Sequence, residues 1–159
     1  MESGVQAERT DKMNDILKEI QINKTECIVY ALNTDYEVFH KYKMSKDFHP
    51  GYNDLGQARC NAPDGVYIHG TYIDIDYPDE PDLTAGFGWA YINITEDRGQ
   101  ALHGGGANLG WDEALKPFQA ALLKTYGCFR MYNVDVFHLA HMVKRSRDMG
   151  IEVVIHVVS

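Results

Sequence analysis

Two short segments of the sequence contain residue types that together could carry out nucleophilic catalysis. Residues 101–106 (ALHGGG) place His103 before a run of glycines, and residues 124–131 (KTYGCFRM) place Cys128 at a sharp turn, two positions before Arg130. A guanidinium near a thiol favours the thiolate, and an imidazole can accept the thiol proton. The two segments therefore predict a Cys/His site in which a thiolate attacks a carbonyl and turn amides stabilise the oxyanion.

A β-rich framework is predicted to position these segments. β-Branched and aromatic runs bounded by turn residues predict strands at 26–32, 36–44, 66–76, 87–95, 99–103 and 151–158. The first two are predicted to form a hairpin across the turn at 33–35, and the apolar content of the last predicts burial on both faces. Helical spacing predicts helices at 11–20, 111–124 (broken or kinked at Pro117) and 134–148 (capped by Asn133). The apolar face predicted for the last helix consists of Val136, Leu139, Ala140 and Val143. We expect an α+β domain with a curved, mostly antiparallel sheet or sandwich and peripheral helices. A leader or short helix (1–23) would precede a catalytic domain (24–159).

Composition narrows the classes of partner. The 159 residues carry 15 basic and 23 acidic side chains, a formal net charge of -8. This acidic balance argues against nucleic acid as a partner, because phosphate binding needs a basic surface. No secretory signal and no apolar run long enough for a membrane span are visible, so synthesis in the cytoplasm is expected. Three widely spaced cysteines, Cys27, Cys60 and Cys128, predict neither a disulfide framework nor a cysteine-rich zinc site.

The combined pattern resembles the YkuD-type L,D-transpeptidase family of bacterial cell-wall enzymes. Its members carry a His-Gly pair at a strand end and, downstream, a Ser/Thr-His-Gly-Cys-Ile-Arg-Met/Leu segment, an Asn-x-Asp helix start and a final strand. Here His103-Gly104 precedes Thr125-Tyr126-Gly127-Cys128-Phe129-Arg130-Met131, which runs into Asn133-Val134-Asp135. The Ala62-Pro63-Asp64-Gly65-Val66-Tyr67 turn is similar to an upstream family element, and the resemblance covers roughly residues 24–158.

The resemblance implies a role for each matching residue. Cys128 would be the nucleophile, and His103 the base, with its other ring nitrogen held by a backbone carbonyl near Gly104. Amides around Gly127 and Cys128 would form the oxyanion hole. Arg130 would hold the site loop or a substrate carboxylate.

The resemblance also implies a reaction. Family members attack the carbonyl that links an L-centre to a D-amino acid in a peptidoglycan stem peptide, form a thioester, and pass the acyl group to an amine or to water, without a metal or organic cofactor. The sequence departs from the family at Tyr126, which stands where most members have a second histidine. A tyrosine, with a reference pKa of about 10, does not replace an imidazole as a base near neutral pH. The choice between transfer and hydrolysis stays open.

Other residues offer alternatives to these assignments. His69, in a His-Gly-Thr sequence, is the rival of His103 as the base. His138 and His141 lie three positions apart on one helix and could bind a metal, although a surface or capping role is favoured. Acidic residues between Asp74 and Asp82 could suggest calcium, but the prolines among them favour a solvated acidic edge.

Three functional hypotheses follow. The first is L,D-transpeptidase-like acyl transfer or hydrolysis, acting in the periplasm or cell wall after export by a route other than Sec. A phage-encoded or toxin-like member with an immunity or export partner would fit it. The second is a non-catalytic module that binds a peptide or protein in the same groove. The third is a cysteine acyltransferase with a cytosolic substrate.

Overall fold

The structure of the chain is a computed structural model. The structure describes residues 15–45, 48–68, 73–75, 87–95, 99–106, 111–119, 122–123 and 125–159. Within these residues, no helix combines the length and apolar character needed to cross a membrane. The predicted rival base His69 and most of the acidic segment after Asp74 lie outside the described residues.

The first sheet has five strands in the order β3-β2-β1-β9-β4. Its members are β1 (Leu17–Asn23), β2 (Ile28–Asn33), β3 (Val38–Lys43), β4 (Gly65–Tyr67) and β9 (Val154–Val158). The β1–β9 pair is parallel and the other pairs are antiparallel. The predicted hairpin between β2 and β3 is confirmed, and β9 alternates buried and half-buried residues instead of being buried on both faces as predicted.

The second sheet has four strands in the order β5-β6-β7-β8 and carries the candidate chemistry. Its members are β5 (Ile73–Ile75), β6 (Ala90–Thr95), β7 (Gln100–His103) and β8 (Phe129–Arg130). β7 and β8 are parallel, whereas the other two pairs are antiparallel. Because the chain leaves β7 and returns to β8 only after residue 128, this pairing brings the two sequence segments with catalytic residue types to one edge of the sheet.

Two helices complete the described structure, the short α1 (Trp111–Ala114) and the long α2 (Asn133–Asp148). α2 contacts β1 of the first sheet and β5, β6 and β7 of the second. Its predicted apolar residues are buried, together with side chains from both sheets, in one hydrophobic core: Val136, Leu139, Ala140 and Val143. The prediction of a β-rich α+β domain is confirmed by these two mixed sheets and the helix packed on them.

Three local predictions need correction. The helix expected over 11–20 is wrong for Leu17–Ile20, which belong to β1, because pairing with β2 and β9 outweighs a short helical pattern. The single strand expected over 66–76 contributes to two different sheets, β4 to the first and β5 to the second. Cys27, expected in a strand, lies in the β1–β2 turn with a positive φ of 58°.

Candidate functional site

His103 and Arg130 are aligned across the parallel pair β7–β8, and so are Leu102 and Phe129. Leu102 and Phe129 are fully buried in the hydrophobic core. Since successive side chains of a strand point to opposite faces, the core takes one face of this edge and His103 and Arg130 share the other. The register of two short strands thus fixes which side chains can form a site.

Cys128 extends this second face by one position before β8. Its Sγ lies 3.9 Å from the carbonyl oxygen of Gly99, and its thiol interacts with the backbone of Ala101. Strands about 4.8 Å apart with a rise of about 3.3 Å per residue put the Cα atoms of Cys128 and His103, two positions apart along paired strands, about 8 Å from each other. Cys128 is partly exposed, so a substrate group can approach its side chain from solvent.

The His103 ring is oriented by its own strand end. Its Nδ1 lies 2.7 Å from the Gly104 carbonyl oxygen, and the Phe87 ring packs edge-on against it with centroids 5.1 Å apart. Because a carbonyl only accepts hydrogen bonds, Nδ1 carries the proton and Nε2 is the unprotonated, basic nitrogen. Burial lowers the pKa of His103 to about 4, the Gly104 bond opposes that shift, and the nearby Arg130 charge adds to it. The imidazole is therefore neutral at pH 7.

Burial also acts on the nucleophile candidate. It raises the pKa of the Cys128 thiol, while a backbone hydrogen bond with Ala101 and the positive charge of Arg130 oppose the increase. The sequence predicted a lowered thiol pKa, and desolvation outweighs the guanidinium that was expected to lower it. At neutral pH the site therefore holds a neutral thiol beside a neutral imidazole.

Arg130 supports the loop that carries Cys128. Its side chain is only 7% exposed, and its Nη1 donates to the carbonyl of Leu123 at 3.0 Å. The backbone of Arg130 exchanges two hydrogen bonds with Ser45, one of them from Arg130 N to Ser45 Oγ at 2.8 Å. Of the two roles that the resemblance implies for Arg130, these contacts correspond to holding the loop.

The turn before Cys128 needs glycine. Gly127 has φ +127°, and a Cβ at this position would lie 2.7 Å from the carbonyl oxygen of Cys60. Its amide, predicted to take part in an oxyanion hole, donates to Thr125 Oγ1 at 3.2 Å, and the Thr125 hydroxyl donates to the Cys128 carbonyl. An oxyanion at the Gly127 amide would have to displace the Thr125 hydroxyl.

Asn133 is a positioning residue that the sequence indicated only as a helix cap. The N-cap of α2 is Tyr132, which makes no side-chain capping bond. The fully buried Asn133 side chain instead donates to the carbonyls of Ala114 and Lys116, both at 2.7 Å, and accepts from the amide of Gly105 at 2.8 Å. It thus ties the glycines after His103 to the end of α1 and to the segment that follows it.

Gln119 completes this polar cluster. Its side chain donates to the carbonyl of Gly105 at 2.8 Å and accepts from the Asn133 amide at 2.9 Å. The Pro117 carbonyl accepts from the amide of Val134 at 3.0 Å. The first two backbone amides of α2 therefore donate to groups that lie 14 to 17 positions earlier in the chain, the Gln119 side chain and the Pro117 carbonyl. A local capping pattern in the sequence does not reveal such partners.

The two histidines of α2 that were weighed as metal ligands, His138 and His141, contact aromatic side chains in the structure. His138 Nδ1 lies 2.7 Å from the Tyr42 hydroxyl, and the His141 ring packs against Phe137. No group of three or more His, Cys, Asp or Glu side chains within the described ranges is arranged to hold a metal ion. Tyr126, two positions before Cys128, is 69% exposed and contacts His49 and Arg59.

Comparison with known proteins identifies the architecture. No protein-family model matches the sequence, and no curated protein sequence matches it significantly. Among solved structures, the chain is similar to the crystal structure of the L,D-transpeptidase from Xylanimonas cellulosilytica DSM 15894, with a TM-score of 0.50 and 16% sequence identity. The fold resembles that of an L,D-transpeptidase. The match covers 89% of this chain and 60% of the other chain, and at this identity it establishes a likeness of fold alone.

Proposed function

We propose that this chain is a cysteine-dependent acyl transferase or hydrolase of the YkuD L,D-transpeptidase type, acting on peptidoglycan stem peptides that contain D-amino acids. The supporting observation is the β7–β8 edge, where Cys128 and His103 share one face and the His103 Nδ1 proton is held by Gly104. The likeness of fold to an L,D-transpeptidase supports the same reaction class.

In the proposed mechanism, proton transfer accompanies the attack. The thiol and the imidazole are both neutral at rest, so His103 Nε2 accepts the thiol proton as Sγ forms its bond to the substrate carbonyl carbon. The Ala101 backbone hydrogen bond and the Arg130 charge favour the sulfur while it carries negative charge. The imidazolium that forms then gives its proton to the departing amine as the C–N bond breaks.

The second half of the reaction releases the acyl group. An amine or a water molecule attacks the thioester carbonyl and loses a proton to His103, the C–S bond breaks, and the Cys128 sulfur takes the proton back. The acceptor alone decides between transfer and hydrolysis.

The proposal is tested by trapping the thioester. The protein is incubated with a synthetic stem tetrapeptide and with a carbapenem, and its intact mass is measured after acid quenching. We expect an acyl adduct on Cys128 and its absence in Cys128→Ala. Cys60→Ser is the matched control, because Cys60 is the other half-exposed thiol near this loop and should not change the adduct.

His103 is tested by rate. His103→Ala should lower the acylation rate by about 100-fold or more, in line with the loss of a general base, whereas His156→Gln on β9 should leave it unchanged. Full activity in both Cys128→Ala and His103→Ala, measured by mass spectrometry of released muropeptides, would show that the site assignment is wrong.

A binding module is the second candidate function. The raised pKa of the Cys128 thiol and the engagement of the Gly127 amide by Thr125 leave the resting site poorly activated, which favours this alternative. A binder holds the stem peptide with equal affinity in the unmodified protein and in Cys128→Ser, and it forms no adduct with the carbapenem.

A cell-wall substrate also requires export. We propose that the chain reaches the periplasm by a route other than Sec, as a phage or toxin protein with an immunity partner would. Expression with an added periplasmic signal should then be toxic, and cytosolic expression harmless. Equal toxicity from both compartments would favour the third hypothesis, an acyltransferase with a cytosolic substrate.

A further inference from the structure

A short hairpin, residues 51–59, lies beside the turn that precedes Cys128. The amide of Arg59 donates to the carbonyl of Gly51 at 2.8 Å, and the amide of Asn53 donates to the carbonyl of Gln57 at 2.9 Å. Inside the turn, Asn53 Oδ1 accepts from the Gln57 amide at 2.9 Å. The hairpin is therefore closed by both backbone and side-chain bonds.

Both ends of this hairpin are attached to the segments that carry the chemistry. Before it, the amide of His49 donates to the carbonyl of Thr125 at 2.7 Å. After it, Gln100 Nε2 donates to the carbonyl of Cys60 at 2.6 Å. Thr125 lies three positions before Cys128, and Gln100 begins β7. The hairpin thus has a fixed position relative to the thiol.

A cleft of about 310 Å³ opens between the hairpin and the turn before Cys128, lined by Asn53, Asp54, Arg59 and Tyr126. A narrower cavity of about 40 Å³ shares its Arg59 and Tyr126 walls and is also lined by Cys60 and Gln100. The volume of the larger cleft lies at the lower end of the range for small-ligand sites. It accommodates a group about the size of one amino-acid residue.

The cleft carries one charge of each sign. The Arg59 guanidinium lies 4.5 Å from the centroid of the Tyr126 ring, and its Nη1 donates to the Pro50 carbonyl at 3.3 Å. Among the described residues, the Asp54 carboxylate makes no hydrogen bond or ion pair. Stacking on the aromatic ring fixes the plane of the guanidinium and leaves most of its N–H donors available to a ligand.

Arg59 presents its guanidinium in this cleft, whereas the sequence suggested Arg130 as the arginine that would bind a substrate carboxylate. Arg130, the other candidate for a substrate carboxylate, is buried and donates to Leu123. Tyr126, which replaces the family's second histidine, supplies the ring on which Arg59 stacks. The departure from the family pattern and the charged cleft are therefore parts of one arrangement.

We propose that this cleft binds a zwitterionic amino-acid group of the acyl donor, with its carboxylate on Arg59 and its ammonium on Asp54. A lone carboxylate would meet the charge of Asp54, and a lone ammonium would meet that of Arg59, so only a group with both charges is complementary to the cleft. The inference rests on the proposed function for the identity of the donor. The binding itself is independent of the thiol.

The test measures binding without chemistry. Cys128→Ala is titrated with glycine, N-acetylglycine and glycinamide across the millimolar range, and amide shifts of residues 51–59 are followed by NMR. Glycine should shift these signals saturably and bind at least about fivefold more tightly than either blocked form. Equal binding of the three probes, no saturable shift with glycine, or shifts confined to another surface would overturn the proposal.

Charge-swap variants sharpen the test. In the same background, Asp54→Asn should improve binding of N-acetylglycine relative to glycine, and Arg59→Gln should improve binding of glycinamide. Tyr126→Phe should retain glycine binding because the ring face is kept, whereas Tyr126→Ala should weaken it. Arg145→Gln, a substitution of an exposed arginine near the end of α2, is the matched control and should change nothing.

The two proposals fail in different ways. Absence of a thioester in the unmodified protein, together with charge-dependent glycine binding in Cys128→Ala, would refute the catalytic proposal and leave the cleft assignment intact. A thioester on Cys128, together with identical binding of the three probes, would refute the cleft assignment and leave the catalytic proposal intact.

Discussion

Replacement of Asn133 by alanine should destabilise the protein strongly. The Asn133 side chain is fully buried and makes four hydrogen bonds to backbone groups: to the carbonyls of Ala114 and Lys116 and from the amides of Gly105 and Trp89. At about 1 kcal/mol for each bond, the loss of free energy of unfolding is about 4 kcal/mol. For a domain of this size, that corresponds to a decrease in Tm of about 8–16 °C.

The surroundings of Asn133 leave little space for water to replace these bonds. A Cβ at Gly88 would lie 2.0 Å from Asn133 Oδ1, and one at Gly104 would lie 2.1 Å from it. Asn133→Asp keeps the acceptor oxygen but places a second oxygen against the carbonyls of Ala114 and Lys116. We expect a loss at least as large at neutral pH, smaller under acidic conditions in which the carboxyl is protonated.

Urea unfolding followed by circular dichroism measures both variants. Asn23→Ala is the matched control, since among the described residues the Asn23 side chain bonds only to Glu26 on the exposed surface, and its loss should cost less than about 1 kcal/mol. A loss of less than about 1.5 kcal/mol in Asn133→Ala would refute the reasoning. It would show that the four backbone groups find other partners.

Three further predictions concern the site. Because the pKa of the Cys128 thiol is raised, its alkylation by iodoacetamide, followed on its tryptic peptide, should accelerate about tenfold per pH unit between about pH 7 and pH 8.5, and a rate that levels off within that range would contradict the raised pKa. The pKa of His103 is lowered from 6.5 to about 4, so the unfolded chain binds more protons between these values. The contribution of this pKa shift to the free energy of unfolding is therefore fully present above about pH 6.5, and up to about 3 kcal/mol of it is lost as the pH falls towards 4. Urea unfolding as a function of pH should show this loss, and His103→Gln should abolish it. Gly127→Ala should cost about 2–3 kcal/mol of unfolding free energy, because its Cβ would meet the Cys60 carbonyl oxygen at 2.7 Å, whereas Gly56→Ala, with φ +73° and open space around it, should cost about 1 kcal/mol; equal losses in calorimetry would show that the Cys60 contact is unimportant.

Local patterns predicted much of the fold. The β2–β3 hairpin, strands β6 and β7, and helix α2 were predicted because alternation and helical spacing reflect burial of one face of an element. The helix expected over 11–20 was wrong, since its last four residues belong to β1, in which Glu19 and Ile20 pair in parallel with β9 at the other end of the chain. Pairing between distant segments has no signature in a window of ten residues.

The candidate site divides in the same way. Cys128, His103 and Arg130 were selected from their residue types and their neighbours, and the structure brings their segments together at β7–β8. Their protonation was not predictable, because burial by the surrounding core moves the pKa of His103 down and that of Cys128 up. No local sequence pattern singled out Arg59 as a binding residue, since its position beside Tyr126 depends on a hairpin that is bonded to residues remote in sequence.

The sequence by itself determined which groups could react and the α+β framework that holds them, because residue chemistry and local periodicity are properties of short segments. Only the tertiary structure decided that Arg130 is buried and bonded to the Leu123 carbonyl, while Arg59 lies over the Tyr126 ring in the cleft beside the turn before Cys128. It also decided that Asn133 ties the glycines after His103 to the start of α2 instead of capping the helix. Exposure and partnership depend on the packing of segments far apart in the chain, and that packing sets the charge and accessibility of every group in the site.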